Sequence, residues 1–150
     1  MNTIIYNRYP LLILLIILLS LNYSRAQELK VPIEINDKSV DNMVGRSLVY
    51  HIREGIRKSS EMRLTIDNET KILVAITTTP EHAEKPNVSC IYSAIWMLSD
   101  STYPFPLYLY SVIGSCGSES VQSSADNIVA ETDKLFLDIK KLVNKLKSNK

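Results

Sequence analysis

The sequence predicts an α/β (α+β) fold: a two-layer sandwich whose four- to five-stranded, largely antiparallel sheet carries two helices on one face, in the order β-α-β-β-β-β-α. Three observations point there. Five short runs alternate apolar and polar residues with period two, as half-buried strands do. Two longer stretches repeat apolar residues every three to four positions, as amphipathic helices do. The chain of 150 residues, once an export leader is set aside, suits a single domain. A sheet with one apolar face needs cover, and placing both helices on that face is the economical packing.

The leader is residues 1–26. Arg8 precedes the uninterrupted apolar run 11–19, and no acidic residue occurs before Glu28. Ser24 and Ala26 are small residues at positions −3 and −1 of a cleavage site before Gln27. Positive start, short apolar core and small-x-small exit make a secretory signal peptide. The apolar core is about 10–13 residues, short of the roughly 20 that span a bilayer as a helix. The alternative is an uncleaved N-terminal membrane anchor. The two cysteines, Cys90 and Cys116, lie far from the exit, so a lipid-attached N-terminus is not expected. The expected location is periplasmic or secreted, with one domain over 27–150. Removing Arg8 and Arg25 from the 17 basic residues leaves 15 against 16 acidic, a net charge of −1. That balance argues against a nucleic-acid partner bound by bulk electrostatics.

Leu29, Val31, Ile33 and Ile35 alternate with polar residues and form the first strand. Pro32 cannot donate to a ladder, which predicts an edge strand or a strand end. Asn36–Ser39 then supplies turn and capping chemistry. Val40, Val44, Leu48, Ile52 and Ile56, with Met43, define an amphipathic helix over about 39–59. Arg46, Arg53 and Arg57 mark its polar face, and Gly55 suggests close approach to the sheet. Residues 62–66 and 72–76 alternate on either side of Asp67–Thr70 and read as a hairpin. Pro80–Pro86, holding His82, is a loop. Val88–Leu98 and Leu107–Ile113 are two further strands. A long helix over about 120–147 follows, with Ala125, Ile128, Thr132, Leu135, Ile139, Leu142 and Leu146 on one stripe. Its late lysines suit the helix dipole.

Centring the last hairpin near Tyr103 places Cys90 opposite Cys116, Tyr92 opposite Gly114, Ala94 opposite Val112, Trp96 opposite Tyr110 and Leu98 opposite Tyr108. Facing cysteines in an exported protein predict a Cys90–Cys116 disulfide, the alternative being two buried thiols. Side chains alternate between faces along a strand. One face of this hairpin is therefore aromatic, and the other carries Ile91, Ile95, Met97, Leu107, Leu109 and Ile113. Aliphatic helix stripes are expected to cover the aliphatic face. That leaves Tyr92, Trp96, Tyr108 and Tyr110, with Tyr103 and Phe105 at the tip, as a candidate binding face. The alternative is an internal aromatic cluster.

Catalytic patterns are searched for without success. Gly114-Ser115-Cys116-Gly117-Ser118 fails the Gly-x-Ser-x-Gly spacing. A nucleophilic cysteine needs a histidine base, for which His51 and His82 are the candidates, and the disulfide would consume both thiols. Two His and two Cys lack the short ligand spacing of a zinc site. No phosphate-binding or metalloprotease motif occurs. No cofactor and no metal are expected. The arginine stripe reads as a solvated face or a grip for an acidic partner. Asn68-Glu69-Thr70 and Asn87-Val88-Ser89 match the glycosylation acceptor pattern, which matters only in a eukaryotic source.

The order of a strand, a helix containing Tyr50-His51-Ile52-Arg53-Glu54-Gly55-Ile56, then Met62-Arg63-Leu64-Thr65 and further strands, over about 29–140, resembles small α/β domains of bacterial envelope assembly proteins. Examples are TolB amino-terminal domains and the penicillin-binding-protein activator lipoproteins, whose lipid-attachment cysteine is absent here. The resemblance implies a non-enzymatic periplasmic adaptor with a protein partner in the envelope. A small-ligand binder using the aromatic face is the competing function, and an enzyme is third. Partner identity and oligomeric state are not legible from the sequence.

Overall fold

A computed structural model describes residues 30–39 and 42–148. The expected signal peptide, its cleavage site and Val40 lie outside the described residues. The elements are β1 (Val31–Asp37), α1 (Met43–Lys58), β2 (Met62–Leu64), β3 (Lys71–Pro80), β4 (Ser89–Ser99), β5 (Leu107–Gly117) and α2 (Val121–Ser148). Their order is the one expected, and the strands form one open five-stranded sheet ordered β2-β1-β3-β4-β5.

One strand pairing expected in the first half is corrected. β2 and β3 do not form a hairpin; both pair with β1, and both run parallel to it. Leu64 and Ile72 flank Ile33 from opposite sides. The short segment 65–70 therefore has only to pass across β1 to connect the two strands. Thr65 Oγ1 donates to Glu69 Oε1 at 2.7 Å, and Arg63 reaches the same carboxylate at 2.5 Å. Lys71 ties the segment down, with Nζ 2.6 Å from the Asp67 carbonyl and 2.5 Å from Glu34 Oε2.

β1 lies inside the sheet, and Pro32, its second residue, stands at a strand end, one of the two places expected for it. Val31 N donates to Glu61 O and Thr65 N donates to Ile33 O, so the odd residues of β1 bond toward β2. The Pro32 nitrogen then points toward β3, one step before that ladder starts at Ile33. A proline at this place removes no ladder bond.

α1 begins later than expected, at Met43, because Asn42 caps it. Asn42 Oδ1 accepts from Gly45 N at 2.5 Å, and its Nδ2 donates to Thr78 Oγ1 at 3.2 Å. Both polar side chains are buried and satisfy each other. A Cβ on Gly45 would lie 2.1 Å from Thr78 Oγ1, so only glycine leaves room for this network. A second cap comes from a distant loop, since Asn87 Oδ1 accepts from Met43 N at 3.1 Å. Arg57 and Lys58 close the helix, where cations suit its dipole.

Ile33, Ile72, Val74 and Ile76 form the sheet side of the core, and Val44, Leu48, Val49, Ile52 and Ile56 of α1 pack with them. α2 adds Val121, Ala125 and Ile128. Gly55 faces α2 rather than the sheet. A Cβ there would meet Val129 Cγ2 at 2.8 Å, so its missing side chain lets the two helices approach. Among the described residues no helix is long and apolar enough to cross a membrane.

Candidate interaction surface

The β4–β5 register holds as expected from Cys90↔Cys116 through Trp96↔Tyr110. It then slips by one residue between Trp96 and Met97, so Tyr108 faces Met97 and Leu107 faces Leu98. The expected Leu98–Tyr108 pair is thus replaced. A bulge adds one unpaired residue on one strand and moves every later side chain to the other face. Tyr108 leaves the aromatic row and stands beside Ser111, with Oη 2.9 Å from Ser111 Oγ.

The expected cover of the sheet is inverted. Cys90, Ala94, Trp96 and Cys116 are buried, so the helices cover the aromatic face of the hairpin. Trp96 is 0 % exposed, and its Nε1 donates to Thr132 Oγ1 at 2.8 Å. Thr132 Oγ1 in turn donates to the Ile128 carbonyl at 2.8 Å. Tyr110 lies against Trp96, with ring centroids 5.5 Å apart. Tyr92 covers Gly114, where a Cβ would sit 2.6 Å from the phenol carbon and oxygen. Burial first, then the Cys116 thiol, pushes the Tyr92 phenol above its usual pKa. Space decides the inversion. Ala94 and Gly114 on the sheet, with Ala125 and Thr132 on α2, leave room for two large rings. Thr132 inside an apolar stripe was the available signal, since a buried Trp N–H needs an acceptor.

Of the candidate face, Trp96 is therefore core, Tyr92 half-buried and Tyr110 a partly exposed rim. Exposed apolar side chains are densest elsewhere, on one stretch of chain, with Ile66, Met43, Tyr50 and Val88 exposed singly in other places. Tyr103, Phe105, Leu107, Tyr108 and Ile113 are each at least 60 % exposed, and Tyr110 is 42 % exposed. Ile91 joins them from β4. Leu107 and Ile113 were not expected here, because the sequence assigned both to the covered face.

The loop 100–106 that presents Tyr103 and Phe105 is held by its own hydrogen bonds. Asp100 Oδ1 accepts from Thr102 N at 2.8 Å and from Thr102 Oγ1 at 2.5 Å. Asp100 Oδ2 accepts from Thr70 Oγ1 at 2.7 Å. Those bonds to the ionised form bring the Asp100 carboxyl down to about 2. The stabilisation is present above the ordinary carboxylate range and is lost as pH falls through about 2.

The sulfurs of Cys90 and Cys116 lie 3.6 Å apart as thiols. Burial, followed by contact with Cys116, pushes the Cys90 thiol up to about 12. A nucleophilic cysteine needs the opposite shift. His51 is half-buried on α1, edge-on to Tyr50 at 5.3 Å, and His82 is exposed in the loop after β3. Among the described residues no group of three metal-ligating side chains forms. Arg57 pairs with Glu54, and Arg53 and Arg57 line a shallow cleft of about 350 Å³ with Ile35, Leu64 and Ile66. Asn68 is exposed, and Asn87 is engaged by α1.

No family model matches the chain, and no curated protein matches it. Solved structures that are similar in part include the following two. One is a minor lipoprotein of Acinetobacter baumannii, at 11% identity and a TM-score of 0.36, over 67% of this chain and 91% of that one. The other is a hypothetical protein of Chlamydia trachomatis, at 11% identity and a TM-score of 0.37, over 76% of this chain and 96% of that one. Superpositions at this level establish no shared activity.

Proposed function

We propose that the chain is an exported, non-enzymatic protein-interaction module of the cell envelope that contacts its partner through the β4–β5 tip and β5. The observation that carries this is the concentration of exposed Tyr103, Phe105, Leu107, Tyr108, Tyr110 and Ile113 along eleven consecutive residues. Exposed aromatic rings are typical binding anchors. The bonds of Asp100 fix the backbone that carries Tyr103, which lowers the entropy lost on binding. The three-part leader supports export, and the resemblance to envelope adaptors agrees with it. Amino-terminal sequencing of exported material is expected to begin at Gln27. Full-length chain in the membrane fraction would instead favour the anchored form.

The small-ligand alternative needs a cavity behind Trp96, and α2 fills that space. A cysteine-nucleophile enzyme would need an activated thiol, and both thiols are buried, with that of Cys90 pushed up. In an oxidising compartment, we infer, the facing thiols lose two hydrogens to a disulfide oxidant and become a bond.

The test is capture of envelope proteins on the purified protein. A Tyr103→Ser/Phe105→Ser variant is expected to lose at least about 30-fold in retention, as anchors worth 2 kcal/mol or more do. Trp96→Phe should fold and retain the same protein. A double variant that folds and captures undiminished would contradict the proposal.

A further inference from the structure

β5 is an edge of the sheet, and its outer side has no neighbouring strand among the described residues. The hydrogen bonds fix which of its residues face outward. Ser118 N donates to Val88 O, whereas Glu81 N donates to Ser89 O. Even-numbered β4 residues therefore turn their backbone toward β5, and odd-numbered ones toward β3. By the register, Tyr110, Val112, Gly114 and Cys116 bond to β4. Ser111, Ile113 and Ser115 then present their N–H and C=O groups outward.

Edge strands are normally guarded by charge, proline, short length or a bulge. The other edge, β2, has three residues and carries Arg63. β5 has eleven residues, Leu-Tyr-Leu-Tyr-Ser-Val-Ile-Gly-Ser-Cys-Gly, without a charge or a proline. Its bulge lies toward the start of the strand, leaving 110–117 regular.

We propose that a second copy of this chain occupies that edge, β5 pairing antiparallel with β5 about a two-fold axis at Ile113 and extending the sheet to ten strands. The inference rests on the reading of β5 as part of the contact surface. The strand is complementary to itself. Ile113, 75 % exposed, meets Ile113 of the other copy, and Ser111 meets Ser115 in both directions. All three outward residues are then in hydrogen-bonded pairs, making about six N–H···O bonds. No like charges oppose each other, because the strand has none. An isologous contact of this kind closes at two copies.

Sedimentation of the exported protein at about 100 µM is the test, with three variants beside it. Ser111→Pro removes an outward N–H and the exposed side-chain bond to Tyr108, and Ile113→Lys alters only an exposed side chain, so both should fold. Wild type is expected to sediment as a dimer and both variants as monomers, while Tyr103→Ser/Phe105→Ser stays dimeric. A monomeric wild type, or a dimer that persists in both variants, overturns the self-pairing. A monomeric wild type that still captures an envelope protein through Tyr103 and Phe105 overturns only the self-pairing and leaves the interaction module standing. So does one that pairs β5 with a strand of another protein.

Discussion

Trp96→Ala should lower the stability of the domain by about 3–5 kcal/mol, the usual cost of truncating a fully buried ring. The indole is completely buried between β4 and α2, touches Tyr110 and donates to Thr132. Its removal leaves a buried cavity and takes the donor away from Thr132. For a domain of this size the melting temperature should fall by roughly 10–20 °C. Trp96→Phe keeps a ring and loses the hydrogen bond, so it should cost about 1–2 kcal/mol. Denaturant unfolding of the two variants measures both. A loss below about 1 kcal/mol for the alanine variant would place the indole at the surface instead.

The second large effect belongs to the cysteine pair. With both thiols reduced, Cys90 ionises only at about 12 in the folded protein, whereas the unfolded thiol ionises near its ordinary value. Above that value the unfolded state binds fewer protons than the native state, so stability falls as pH rises. The full loss, reached near pH 12, is on the order of 3–4 kcal/mol. The disulfide has no proton to lose and removes this dependence. It also closes a loop of roughly 25 residues, for which chain entropy gives about 3–4 kcal/mol of added stability. Unfolding followed from pH 8 to 12, with and without reductant, separates the two states. Intact mass should be about 2 Da lower for the exported protein than after reduction. Free thiols in folded, exported protein would contradict the disulfide.

Much of this fold was legible in the residues, and the misses have physical causes. The pairing of Cys90 with Cys116 followed from the length of the β4–β5 connection. The bulge at Leu109 did not, because one extra residue leaves no mark on the hydrophobic pattern. The hairpin expected between β2 and β3 failed because a short polar connection also serves two strands that flank a third. Pro32 was legible as a strand-end residue, and the ladder on its donor side starts one residue later. Choosing which face of β4 and β5 is covered needed the shapes of both partners, since aliphatic and aromatic rows gain similar free energy on burial. Trp96 and the Thr132 that accepts from it lie on different elements, 36 residues apart. Tyr103, Phe105 and Tyr108 were visible as candidates from their type alone. Ile113 was not, because the inversion of faces is what exposes it, and Leu107, which the bulge sets opposite Leu98, is exposed at the very start of β5.

Site-specific photocrosslinking in intact cells addresses the interaction surface most directly. A photoreactive residue is placed at Phe105, in the exposed tip, and separately at Ile66, an equally exposed apolar position beside the opposite edge of the sheet. Position 105 should yield a discrete adduct with an envelope protein, and position 66 should not. An adduct at 66 with none at 105, or the same adduct at both, would contradict the assignment of binding to the β4–β5 tip and β5.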